Sequence, residues 1–137
     1  MSYEILEHTA DAKFKAVGDS LEDAFSSTVD AFADIAGGEG GNTRHKFEVE
    51  SESLEALLFD FLDELIYLQD TRDSVISHAK SIEIEELKPG YKLNAEVWTN
   101  PVTAGSQVLD IKGPTYSEMS IEHKQGEGWI IIAVLDI

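Results

Sequence analysis

The 137-residue chain sets 27 acidic residues against 10 basic ones, a formal net charge of −17 at pH 7. Such a charge repels a phosphate backbone at long range and argues against direct high-affinity nucleic-acid binding. No apolar run reaches the ~20 residues that span a bilayer, so no membrane segment is expected. The absence of cysteine rules out disulfides, thiolate metal sites and cysteine nucleophiles together.

An apolar fraction of 42% and a charged fraction of 27% are those of an ordinary globule, and the length fits one domain over residues 1–137. The first residues, Met1 to His8, lack the basic and apolar regions of a signal peptide, which points to a cytoplasmic protein. The acid excess concentrates between Glu48 and Glu86, where twelve acids meet only Arg72 and Lys80. That run serves equally as a solubility device or as a face that steers a basic partner or a cation.

Tyr3 to Leu6 and Asp11 to Val17 read as short strands, the second alternating Ala12, Phe14 and Ala16 with Lys13, Lys15 and Val17. Ser20, with Asp23 three residues on, has the form of a capping box. Leu21, Phe25, Thr28, Phe32 and Ile35 then recur at helical spacing as far as Gly37-Gly38. The glycine-rich stretch from Gly37 to Thr43 follows a helix and lacks Gly-Lys-Ser/Thr, so it is a helix stop and loop and not a phosphate cradle. Lys46 to Glu50 reads as a strand. Ser53 opens a second helix whose apolar face runs from Leu54 through Leu57, Leu58, Phe61, Leu62, Leu65 and Ile66 to Leu68.

Strand patterns return at Val75 to Ala79, Ser81 to Glu86, Tyr91 to Thr99, Tyr116 to His123 and Gly128 to Leu135. Turns fall at Lys88-Pro89-Gly90 and Gln125-Gly126-Glu127-Gly128. The expected fold is α+β, a single-domain sandwich of antiparallel-rich β-sheet with two main helices.

Two acids stand out by position. Trp129 to Leu135 is an unbroken apolar run that stops at Asp136 and Ile137, which places a side-chain carboxylate and a terminal carboxylate at the end of a buried strand. Two anions on partly buried ground require a cation, a basic side chain or backbone donors; the alternative is that the end frays into solvent. Asp11, after His8-Thr9-Ala10, opens a strand where a loop delivers a side chain, although Asp11 or Thr9 could equally cap a local turn. Oxygen ligands from Asp11, Asp136 and Ile137 would suit a hard divalent ion, calcium, magnesium or manganese. His8 is either a ligand or a hydrogen-bonded neutral imidazole. Lys112, before Gly113-Pro114, is either a surface lysine or a point charge for these carboxylates or for a phosphate. No Walker loop, dinucleotide fingerprint, Gly-x-Ser-x-Gly elbow or His-Glu-x-x-His pattern is present.

His8-Thr9-Ala10-Asp11, the Gly18-Asp19-Ser20-Leu21-Glu22-Asp23-Ala24-Phe25 helix start, Leu57-Leu58, Ile111-Lys112-x-x-Thr115-Tyr116 and the closing Asp136-Ile137 together resemble the archease family from end to end. The resemblance implies a single archease-like domain that is not itself an enzyme. It implies a protein cofactor of RtcB-type RNA ligases in tRNA splicing and RNA repair, promoting guanylylation of the ligase's histidine and multiple turnover. For some members it implies instead a chaperone that modulates a tRNA methyltransferase. It also implies a metal site, calcium foremost with magnesium or manganese as alternatives, on Asp11 and Asp136 with Ile137 as a neighbouring ligand, and a functional lysine at Lys112. One position departs: Ser117 stands where the family commonly has histidine after Thr-Tyr. The Ala12-Lys13-Phe14 segment is also more basic than the family pattern.

Overall fold

Among the residues described by the computed structural model, 2–6, 11–38, 40–102 and 108–137, the elements run β1 (Ser2–Leu6), β2 (Asp11–Gly18), α1 (Leu21–Ala36), β3 (Thr43–Ser51), α2 (Leu54–Arg72), β4 (Ser74–Glu86), β5 (Tyr91–Pro101), β6 (Gly113–Lys124) and β7 (Gly128–Asp136). They form a four-stranded sheet in the order β1-β2-β7-β6 and a three-stranded sheet in the order β3-β5-β4. Every pairing is antiparallel. Each helix touches strands of both sheets: α1 lies on β1, β2, β7 and β4, and α2 on β6, β3, β4 and β5. The helices therefore join the sheets, as the α+β sandwich expectation required.

Local chemistry sets the helix ends where the sequence placed them. The Ser20 side chain accepts from the Asp23 N–H at 3.0 Å, and the Ser53 side chain accepts from the Ala56 N–H at 3.1 Å. Gly37, at φ 89°, stops α1 in the left-handed conformation, and its N–H donates to the Ala33 carbonyl at 2.8 Å. Asp73 ends α2 in the same conformation, without glycine's steric freedom, at φ 47°. No helix among the described residues is long and apolar enough to cross a membrane.

Two expectations need correction. Val75 to Ala79 and Ser81 to Glu86 are one strand, β4, with register shifts between Ile76 and His78 and between Ala79 and Ser81. Each bulge slips the inward-outward alternation while the strand continues, which is why the pattern looked broken at Lys80. The strand expected over Tyr116 to His123 begins instead at Gly113, so the Gly113-Pro114 pair lies within β6. A proline is tolerated there because β6 is an edge strand and needs donors on one side only.

The core joins three elements at one ring. Phe61 of α2 meets Phe25 of α1 edge-on, with centroids 5.3 Å apart, and Phe47 of β3 at 5.7 Å. Both Phe25 and Phe61 are fully buried. Phe61→Ala should therefore destabilise the fold by about 3–5 kcal/mol, as expected for a buried aromatic. Phe47→Ala, on a partly buried ring, should cost less. Urea denaturation of the two variants measures the difference.

Candidate metal centre at the end of the four-stranded sheet

The central strand of the larger sheet is β7, and its neighbours bring the chosen residues to one place. Phe14 and Ala16 of β2 and Ile131, Ala133 and Leu135 of β7 point inward and are wholly buried. Side chains alternate across a strand, so Lys13, Lys15, Ile130, Ile132 and Val134 take the outward face. The pairing of β2 with β7 runs Lys13↔Val134, Ala12↔Leu135 and, at its end, Asp11↔Asp136. Two carboxylates that are far apart in sequence thus stand directly opposite one another on the outward face. On β7's other side, Gly113 of β6 is also opposite Asp136. Side chains directly opposite on antiparallel strands have Cβ atoms about 4.5–5.5 Å apart, close enough for one cation to be shared.

Lys112 is brought to the same row through its backbone. Its N–H donates to the Asp136 carbonyl at 2.8 Å, Ile111 before it is buried, and the Leu109 N–H donates to the Ala36 carbonyl at 3.0 Å. The segment is anchored at both ends, and the Lys112 side chain is exposed. The structure corrects the expectation of partly buried ground for the terminal acids. Leu135 is the last buried residue, while Asp136 and Ile137 are exposed. The apolar run fixes the backbone of the strand end; alternation then turns Asp136 outward. Asp11 is intermediate in exposure. His8 lies outside the described residues.

Among the described residues, the candidate ligands Asp11, Asp136 and Ile137 offer oxygens, which suit a hard divalent cation and not a soft one. Among the described residues no cluster of three His, Asp or Glu side chains could hold a metal. The two carboxylates would therefore need further oxygens from water, backbone or the Ile137 carboxylate.

The next row inward differs from the sequence reading. Lys13 follows Asp11 on the outward face, but its Nζ reaches Glu118 at 3.1 Å. Since β7 lies between β2 and β6, this ion pair passes over β7 beside Val134, which is 1% exposed although it faces away from the helices. Glu118 can reach across because β6 is bulged. Thr115 opposes Val134 and Ser120 opposes Ile132, so Tyr116 to Met119 stand against Ala133 alone. Glu118 takes φ 60°, and the Ser117 N–H donates to Thr115 Oγ1 at 3.1 Å. Ser117, in the position commonly held by histidine, is thus an exposed member of this bulge. Nothing in the sequence of this segment marks the bulge, because it lacks glycine and proline between Thr115 and Ser120.

Like charges directly opposite on paired strands are destabilising. In the presence of a chelator, Asp136→Asn should therefore raise stability by ~0.2–1 kcal/mol, read as a rise in melting temperature. A fall under the same conditions would mean that the two acids do not repel.

Comparison with known proteins agrees with this architecture. The model of the Archease protein family (MTH1598/TM1083) matches residues 3–137. Protein archease of Pyrococcus abyssi (strain GE5 / Orsay) is 32% identical over 140 residues, covering 98% of each chain. Protein archease of Methanosarcina acetivorans is 34% identical over 146 residues, covering 98% of this chain and 95% of its own. The solution structure of Methanobacterium thermoautotrophicum protein 1598 superposes with a TM-score of 0.82 at 27% identity, over 98% of both chains. The crystal structure of an archease, possible chaperone, from Thermotoga maritima shares the fold, with a TM-score of 0.63 at 19% identity. The chain belongs to the archease family.

Proposed function

We propose that the protein is a non-catalytic cofactor of an RtcB-type RNA ligase, acting in tRNA splicing and RNA repair. It would promote guanylylation and turnover from a divalent-metal site on Asp11 and Asp136, with Ile137 as a neighbouring ligand. The observation that carries this reading is the Asp11↔Asp136 register, which sets two oxygen donors opposite each other on a rigid sheet end. A bound divalent cation, calcium foremost with magnesium or manganese as alternatives, supplies positive charge for phosphate oxygens. The chain's own residues do the positioning. Asp11 and Asp136 hold the site at the rim of the sheet, where a partner can reach it. Lys112, tied to Asp136 through its backbone, offers an exposed point charge for phosphate. With a net charge of −17, the protein is suited to meeting a basic ligase and not to holding RNA itself.

A second reading is a chaperone that modulates a tRNA methyltransferase. It is favoured by the acid-rich stretch from Glu48 to Glu86 and by the description of the Thermotoga relative as a possible chaperone.

Ligase turnover distinguishes the two. Asp11→Ala and Asp136→Ala should each lower stimulation at least about tenfold, as expected for loss of a metal ligand or its support, without loss of fold. Undiminished stimulation by both variants would remove the metal-site mechanism. Protection of a methyltransferase from aggregation, followed by light scattering and unchanged in both variants, would favour the chaperone.

A further inference from the structure

The bulged stretch of β6 also brings Tyr116 against α2. Its ring stacks on Phe59 of α2, with centroids 4.3 Å apart and planes 8° from parallel, yet Tyr116 remains 56% exposed. Phe59 is half-buried and belongs to a regular stripe on α2. Residues four apart on a helix are neighbours, so Glu55, Phe59, Asp63 and Tyr67 form a ridge that winds about 120° round the helix over about 18 Å, at 1.5 Å per residue and 3.6 residues per turn. Glu55 and Asp63 are exposed, and Tyr67 is 59% exposed. The stripe therefore alternates carboxylate and aromatic ring, with a second ring laid on the first.

The chemistry of these exposed rings and carboxylates selects their ligand. Aromatic faces attract cations, and a planar guanidinium both stacks on a ring and pairs with a carboxylate, which an ammonium does less well. The surrounding charge has the same sense. Asp60 and Asp63 are exposed on α2, and the basic residue of the helix, Arg72, lies at its far end. A nucleic-acid base could stack on the same rings, but its phosphates would meet Glu55 and Asp63.

We propose that the stripe Glu55, Phe59, Asp63 and Tyr67, together with Tyr116, is a docking surface for an arginine-bearing basic segment of a protein partner. The proposal rests on the reading that the chain acts on another protein. It adds the surface and the side chain that this surface selects.

Fluorescence polarisation with labelled peptides tests the surface without any ligase. One peptide carries arginine at every fourth position, a second carries lysine at the same positions, and an oligouridine of equal length is the third probe. The arginine peptide should bind about two- to fivefold more tightly than the lysine peptide, the range expected for an exposed cation–π contact. Tyr116→Ala and, separately, Tyr67→Ala should each remove that preference while the far-UV circular dichroism stays unchanged. Because Tyr67 projects into solvent, the second variant keeps the test valid should the first disturb the bulge. Addition of a chelator of divalent cations should leave the arginine preference unchanged, so a failure of the metal-site reading would leave this result standing. Equal binding of the two peptides, a preference that survives both tyrosine variants, or tyrosine-dependent oligouridine binding would overturn the proposal.

Discussion

The register of β7 between β2 and β6 is the constraint on which the rest depends. Ile131, Ala133 and Leu135 bury completely on the helix side, and a slip of one residue would move all three to the outward face and turn the Asp136 carboxylate toward the core. That penalty locks the strand, and the lock is transmitted to the last row, where Asp11, Asp136 and Gly113 come level. The hydrophobic core thus brings two acids from distant parts of the chain to opposing positions.

Charge is organised on the same sheet in two different ways. One row inward from the acids, Lys13 and Glu118 satisfy each other across β7 and shield Val134. At the rim, the carboxylates have an exposed lysine nearby whose backbone is fixed to Asp136. The contrast separates a structural pair from a candidate binding row. It also explains the basic Ala12-Lys13-Phe14 segment: Lys13 is engaged by Glu118 and closes the outward face, while Phe14 fills the core.

Much of the fold was legible because its signals are local. Ser20, Ser53 and Gly37 mark helix ends by chemistry confined to a turn, and the spacing of Leu57, Phe61 and Leu65 shows the buried side of α2 without any knowledge of what covers it. Asp11 and Asp136 could be singled out individually as acids at strand ends. Their apposition could not be derived from spacing alone, because it depends on β2 and β7 pairing across more than a hundred intervening residues. The family resemblance supplied that link, and the register supports it. What stayed hidden was non-local in a stricter sense. The segment Tyr116 to Met119 reads as an ordinary strand, and its bulge exists only because β7 has fewer residues to oppose it. With the bulge hidden, so was the stacking of Tyr116 on Phe59. The exposure of Asp136 was likewise misjudged, since an apolar run fixes a backbone without burying the next side chain.

The central claim is that Asp11 and Asp136 act as one site, and a double-mutant cycle on cation binding tests it most directly. Isothermal titration with calcium on the parent, Asp11→Asn, Asp136→Asn and the double variant measures the coupling. If one ion is shared, either single substitution removes most of the affinity and the second adds little. Additive losses, or calcium affinity unchanged by either substitution, would contradict a shared site.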